Sequence, residues 1–369
     1  MKHNNWKLTL GTALALLAWA APVWADQPGT FEKIDVDGAV VTIASGINND
    51  GYIVGWYCLK NPCGGGAGTE SEPRVRGFIR TPEQKFLRVD INDCTPTHTD
   101  CNHAVGTQPR YISPQGVVVG TYFTLDKDPT GKLRKGNPRF RGFACFVATC
   151  SGPNPQFVYF DPPSDLYDHQ DDPAQGLFYD HSIIPRGINA EGDIVGCIHD
   201  QDQGLSMHGF RLHEGTFTRF NDAATMSNGI NPQGEIVGAD FLNLTGYRLD
   251  KSGNVIERIY FPGTDETDAW DINARGEIIG QAFTNDFAVG HAFLRDKQGN
   301  YEFIDPPDVS SRNCLDNNDN LPCSSLAFAI AANGNIVGQY RDSADPVFCS
   351  THSCTHGFLL QRTGNDDKD

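Results

Sequence analysis

Asp180-His181 and Cys197-Ile198-His199-Asp200 set two imidazoles, a thiol and two carboxylates on either side of one tight turn. If the two stretches are neighbouring strands, their ends meet. An imidazole beside a carboxylate suits acid–base work, because neighbouring charge raises its pKa while burial lowers it, on either side of neutrality. Cys197 and His199 share a strand face by period-two alternation. That permits a thiol–imidazole pair, although a buried, inert thiol is the favoured reading of Cys197. Arg110 and Arg186 each follow a proline, as Pro109-Arg110 and Pro185-Arg186, at equivalent places in consecutive repeats. The corresponding places in the next two repeats hold Asn228 and Trp270. Two guanidiniums at one mouth would hold an anionic group or stabilise developing negative charge. The candidate catalytic residues are therefore His181, His199, Arg186, Asp180 and Cys197. Arg110, Asp200 and His103 are candidate ligand contacts.

Other chemistries lack their residues. No GxSxG, HExxH, P-loop or dinucleotide fingerprint is present. Asp316-Asn317-Asn318-Asp319-Asn320 opens like a calcium loop, but Leu321 and Ala327 stand where the sixth-position glycine and twelfth-position glutamate belong. No metal set is assigned, and the sequence names no cofactor.

The elements that would position these residues come from a repeat. Ile, a polar residue, two variable residues, Gly, one variable residue, two aliphatics and Gly recur at Ile47–Gly55, Ile112–Gly120, Ile188–Gly196, Ile230–Gly238, Ile272–Gly280 and Ile330–Gly338. In Ile330–Gly338 alanine takes the polar place. A turn glycine between β-branched runs is a hairpin signal, since such turns need positive φ. A Gly-aromatic or Ala-aromatic strand follows each hairpin, at Phe78, Phe143, Phe210, Tyr247, Phe293 and Phe358. Five units then add a fourth strand, over Phe86–Asp90, Phe157–Asp161, Phe217–Phe220, Ile256–Phe261 and Tyr301–Asp305. The sixth lacks one, and a matching segment, Phe31–Asp35, precedes the first unit. The shortest spacing between central glycines is 42 residues, Gly192 to Gly234 to Gly276, which is a propeller-blade period. The expected fold is all-β: a single six-bladed β-propeller over residues 26–363, its last blade closed by the N-terminal strand.

The repeated motif, with His208-Gly209-Phe210, His291-Ala292-Phe293 and His356-Gly357-Phe358, resembles the bacterial HAF-repeat extracellular family over about residues 31 to 361. Arg76 and Arg141 replace the histidine in the first two units, and Tyr111-Ile112-Ser113 departs from Gly-Ile-Asn. The resemblance implies secretion and propeller-like repeats and no defined activity, so no catalytic residue comes from it. The three histidines recur with the fold and are expected to be structural.

Nearly all extra length falls in the loops joining strands 2–3 and 4–1, which a four-stranded blade sends to one face. These are residues 58–75, 123–140 and 341–355, and 91–109, 162–183 and 306–327. Only Cys145 to Gln156 decorates the opposite face. Loops elaborated on one side of a rigid scaffold are where binding concentrates. Ten of the eleven cysteines form close pairs, Cys58/Cys63, Cys94/Cys101, Cys145/Cys150, Cys314/Cys323 and Cys349/Cys354, which leaves Cys197. Such pairs read as local disulfides in an exported chain. Residues 1–25 read as its signal peptide: Lys2, His3 and Lys7, an apolar run from Leu8 to Ala21, and Ala25 before the cut. Residues 364–369 form a polar tail. The destination is the periplasm or the exterior, without membrane insertion.

With 29 basic and 46 acidic residues, net charge −17, the chain lacks the basic stripe that nucleic-acid binding needs. The leading expectation is a monomeric, disulfide-braced propeller binding a small molecule, glycan or protein ligand on its loop-rich face. The alternative is a hydrolase or lyase with its His/Arg/Asp site at the channel mouth.

Overall fold

The computed structural model describes residues 29–59, 75–91, 106–124, 139–172, 174–175, 181–200, 207–220, 224–284, 287, 289–309, 323–342 and 354–362. They are strands joined by turns, with one 3-10 turn at Ser164–Leu166. After β1 (Gly29–Ile34), the strands fall into successive antiparallel meanders. Unit one is β2 (Val41–Ile47), β3 (Ile53–Cys58), β4 (Val75–Arg80) and β5 (Phe86–Val89). Unit two is β6 (Gly106–Ile112), β7 (Val117–Thr124), β8 (Arg139–Phe146) and β9 (Val158–Phe160). Unit three is β10 (His181–Ile188), β11 (Ile194–Asp200), β12 (Met207–His213) and β13 (Thr216–Arg219).

Unit four is β14 (Thr225–Ile230), β15 (Ile236–Asp240), β16 (Thr245–Leu249) and β17 (Val255–Ile259). Unit five is β18 (Glu266–Ile272), β19 (Ile278–Thr284), β20 (Val289–Arg295) and β21 (Tyr301–Phe303). Unit six has β22 (Cys323–Ile330), β23 (Ile336–Arg341) and β24 (Thr355–Arg362). Its fourth place is taken by β1, which pairs antiparallel with β24 from Gly29↔Arg362 to Ile34↔Gly357. The first strands lie side by side in chain order, and β22 also lies beside β2. The ladders do not run continuously around this arrangement, since units three and four are separate sheets.

The repeat motif explains the meander. Its first glycine sits at positive φ in all six turns, from 79° at Gly234 and Gly276 to 89° at Gly334. The preceding polar side chain closes the turn: Asn48, Asn189, Asn231 and Asn273 each accept from the backbone N–H four residues on, at 2.9–3.1 Å. Ser113 does the same at 3.1 Å, so Ser for Asn is tolerated there. The motif's last glycine serves the packing. A Cβ on Gly55 would strike the Ile43 carbonyl and the Phe78 ring, and Gly338 stands in the same relation to Leu326 and Phe358. That space lets Phe78, Phe143, Phe210, Phe293 and Phe358 bury completely.

Units are joined by hydroxyls on the first strands. Thr107 Oγ1 accepts from Ile91 N–H at 3.0 Å, Thr267 Oγ1 from Phe261 N–H at 3.0 Å, and Ser325 Oγ from Ala292 N–H at 2.7 Å. Thr42 Oγ1 accepts from Val36 N–H, just after β1, at 3.2 Å. Thus unit one is latched to unit six as the others are latched to their predecessors.

The motif histidines face acids at the end of the fourth strand. His291 Nδ1 lies 2.6 Å from Asp305, and His356 Nδ1 lies 2.8 Å from Asp35. Arg76 donates to Asp90 at 2.7 Å, and Arg141 donates to Asp161. The arginines that depart from the histidine motif therefore make the same clamp. His208 takes its acid from elsewhere, with Asp168 Oδ2 at 2.8 Å.

Cys145 and Cys150 are bonded to each other, and Cys58 and Cys354 are each in a disulfide whose partner lies outside the described residues. Cys197 is a free thiol, fully buried. Cys63, Cys94, Cys101, Cys314 and Cys349 lie outside the described residues. Thiol titration of the unfolded, unreduced mature chain should find one free thiol, Cys197, unreactive before unfolding. Three or more would overturn the five-pair assignment.

Candidate functional site

All six first strands carry a β-bulge at the same step. Register shifts occur between Ala44 and Gly46, Pro109 and Tyr111, Pro185 and Gly187, Ser227 and Gly229, Ala269 and Asp271, and Ala327 and Ala329. A bulge leaves one residue out of the ladder and re-aims its side chain. The six residues left out, Ser45, Arg110, Arg186, Asn228, Trp270 and Phe328, line one small cavity with Trp56. Its free space is about 10 Å³, room for one water-sized body. The fold thus brings Arg110 and Arg186 from adjacent units into one axial chamber.

One residue further along, the strands crowd. Gly46 has no room for a Cβ against Tyr111 Cα, at 2.8 Å, nor Gly229 against Asp271 Cα, at 2.6 Å. Tyr111 and Asp271 fill this waist. Tyr111 donates its hydroxyl to Asp271 Oδ2 at 2.7 Å, joining units two and five, and Ile330 N–H donates to the same oxygen at 2.9 Å. Ile272 N–H donates to Oδ1 at 2.9 Å. Beyond the waist, the motif isoleucines and the turn residues after them line a funnel of about 60 Å³ on the turn face. The waist therefore separates the chamber from the turn face.

Its electrostatics are unusual. Burial, then the adjacent Arg186, brings the Arg110 guanidinium down to about 9, with Cys197 opposing. Burial, reinforced by Arg186, takes His199 down to about 4. Burial, with Glu266 adding, pushes Asp268 up to about 8 against the pull of Arg186. At neutral pH these groups are a guanidinium, a neutral imidazole and a neutral carboxyl. Arg110 donates to Gln108 Oε1, and Arg186 lies over the Trp270 ring at 4.9 Å. Phe328 meets Trp270 edge-on at 4.9 Å.

Four lining residues carry a buried polar atom without a protein partner, Arg110 Nε, Arg186 Nε, Asn228 Oδ1 and Trp270 Nε1, and so do His199 at Nε2 and Asp268 at Oδ1, both charge-coupled to Arg186. Buried polar groups are otherwise almost always paired. A larger groove of about 370 Å³ lies between units three and four, lined by Arg219, Phe220, Asp240, Tyr247 and Arg258 among others. Its charges are engaged, Arg258 with Asp240, and Arg219 with Asp168 at 2.6 Å and the Leu166 carbonyl at 2.7 Å. The smaller chamber holds the unsatisfied chemistry.

The other candidates divide. His199 is charge-coupled to Arg186, with its ring 6.1 Å from Phe140. His181 stands opposite Asp200 in register, but its ring stacks on Tyr167 at 4.3 Å and its Nε2 lies 2.8 Å from the His169 carbonyl. It serves the loop rather than the chamber. Cys197 packs among Ile184, Met226 and Ala239, and no hydrogen bond joins it to His199, so the thiol–imidazole pair does not form. Asp180, His103 and the calcium-like loop at Asp316–Asn320 lie outside the described residues, as does the Asp200 side chain. The sequence reading passed over Asp268, Trp56, Ser45 and Phe328. Ser45 and Phe328 were accessible, since each stands two residues before the motif isoleucine, as Arg110 and Arg186 do.

Fold and site together define an all-β, propeller-like protein with a polar axial chamber. Among solved structures, the chain is similar to a streptogramin B lyase, at 12% identity and TM-score 0.42, covering 90% of this chain and 98% of that one. It is similar to a catalytically inactive virginiamycin B lyase from Staphylococcus aureus with quinupristin, at 11% identity and TM-score 0.43, covering 90% and 99%. A nidogen/laminin complex matches at 10% identity and TM-score 0.38, covering 74% and 82%. No protein-family model and no curated protein matches the chain.

Proposed function

We propose that this is an exported, disulfide-braced six-bladed β-propeller of the HAF-repeat kind, closed by β1, that binds a ligand at the loop-rich mouth of its axial chamber. The observation that carries the reading is the ring of partnerless buried atoms on Arg110, Arg186, His199, Asn228, Asp268 and Trp270. A protein interior leaves so many groups unsatisfied where an outside partner completes them. Arg110 and Arg186 grip the negative end of a small molecule or glycan, Trp270 and Trp56 give it an apolar wall, and His199 orients it. The disulfides fit an oxidising compartment. Among the described residues no helix is long and apolar enough to cross a membrane.

A second reading is favoured by one observation. Asp268 is raised to about 8 and His199 lowered to about 4, both coupled to Arg186. Environments that push an acid and a base apart are how hydrolases and lyases make a proton donor and a proton acceptor at one pH. In that reading Asp268 gives a proton, His199 takes one, and Arg186 steadies the anionic intermediate.

The test is a thermal-shift screen of the mature protein against sugar acids, dicarboxylates and acidic oligosaccharides. A ligand at 100 times its Kd stabilises by about 2.7 kcal/mol. That shift should vanish in Arg186→Met and His199→Ala, whereas His181→Ala should keep most of it. Retention by both chamber variants, with loss on a change in Cys145–Gln156, would place the site on the other face.

A further inference from the structure

We propose that the chamber between Arg110 and Arg186 is a binding site for one small monovalent anion of halide size. The proposal rests on the chamber used in the functional reading and adds the class of group that reaches its floor. Two guanidiniums from adjacent units meet here, and each has a buried Nε without a partner. Among the described residues neither is in an ion pair, and Arg186 makes no hydrogen bond at all. Burial and Glu266 push the Asp268 carboxyl up against the pull of Arg186, which weakens it as a counter-charge, and no ion pair joins the two. Uncompensated charge in a closed site is strongly unfavourable, so a counter-ion is called for.

Size and donors select it. About 10 Å³ of free space excludes sulfate and phosphate. The orphaned Trp270 Nε1–H adds a third donor to the two Nε–H groups, against one orphaned acceptor, Asn228 Oδ1, and a site with two guanidiniums and an excess of donors suits an anion and repels a cation. The waist made by Tyr111 and Asp271 closes the side toward the turns, so the anion comes from the opposite side. It comes either as a free ion or as the carboxylate end of a larger ligand.

Two measurements decide this. In the first, the purified protein is melted in sodium sulfate at fixed ionic strength, with sulfate replaced stepwise by bromide or chloride. Saturable stabilisation by the monovalent anions is expected, with affinity reduced about tenfold or more in Arg186→Met, the loss of a charged hydrogen bond. The second is an anomalous-scattering map of wild-type crystals grown in bromide, expected to show a bromine peak between Arg110, Arg186 and Trp270. An equal response to sulfate and bromide, an undiminished response in Arg186→Met, or an empty chamber in that map overturns the proposal. A sugar acid that competes with bromide identifies the carboxylate end of a ligand as a source, and free anion alone is the source if none competes. If bromide binds and no organic ligand shifts the melt, the anion site stands and the ligand reading fails. If ligand binding needs Arg186 and His199 while no bromide enters, the anion site fails and the ligand reading stands.

Discussion

Removing residues 29–35 should leave a chain that is unfolded or barely folded at room temperature. The loss takes the whole β1 ladder on β24. It also takes Ile34, which is 1% exposed, and Phe31, whose ring meets Phe358 edge-on at 5.7 Å. Asp35 goes too, leaving His356 buried without the acid at its Nδ1. Two large apolar side chains at about 1.5–3 kcal/mol each, with the ladder and the clamp, sum to on the order of 5 kcal/mol. A domain commonly has only about 5–15 kcal/mol in all. Urea denaturation measures the effect.

A permutant shows whether topology is responsible. Arg362 is joined to Gly29 through an Asn-Gly turn, as Glu214-Gly215 joins β12 to β13 with φ of 47° and 80°, and the chain is opened between Val36 and Asp37. It should regain most of the lost stability, because the same strand then completes the same sheet. A truncated chain that melts like the full one would sink the strand-exchange closure.

What could be read beforehand follows from which interactions are local. The Asn-x-x-Gly turns close within five residues, so composition alone announces them. The β1–β24 pairing was legible because five units had a fourth strand, one did not, and the spare stood at the other end. Arg110 and Arg186 are legible because each follows a proline at the same place in consecutive repeats. The bulge that aims them inward was not visible, since one extra residue in a ladder exists only relative to its partner strand. Asp168 stands in an acidic stretch with Asp165, Asp171 and Asp172, yet it reaches His208 at 2.8 Å and Arg219 at 2.6 Å. No local pattern connects residues forty positions apart. His181 and Asp200 do lie opposite each other, but Tyr167, from the preceding loop, takes the imidazole face. Loop side chains decided what the strands offered.

Asp271 should make the protein less stable as pH rises from about 4 to about 7. It is fully buried, and burial pushes its carboxyl up to about 7 despite hydrogen bonds from Ile330 N–H, Tyr111 and Ile272 N–H. In the unfolded chain it ionises near its ordinary value of about 3.9. Below that value both states hold the proton, and the native state carries no penalty. Between the two values the unfolded chain has released the proton and the native chain has not, so stability falls with pH. Above about 7 the native carboxyl ionises as well and the slope ends. Roughly three pH units at 1.36 kcal/mol each make a loss of about 4 kcal/mol. Asp271→Asn keeps a neutral group of the same shape beside Tyr111 and removes the titration. In urea at pH 4, before the native protein has lost much, the variant should be equal to it or weaker by about 1 kcal/mol, the value of one hydrogen bond. At pH 8 it should be the more stable of the two. Parallel stability–pH curves for the two proteins would mean that the waist carboxyl is ionised throughout and that its three hydrogen bonds outweigh its burial.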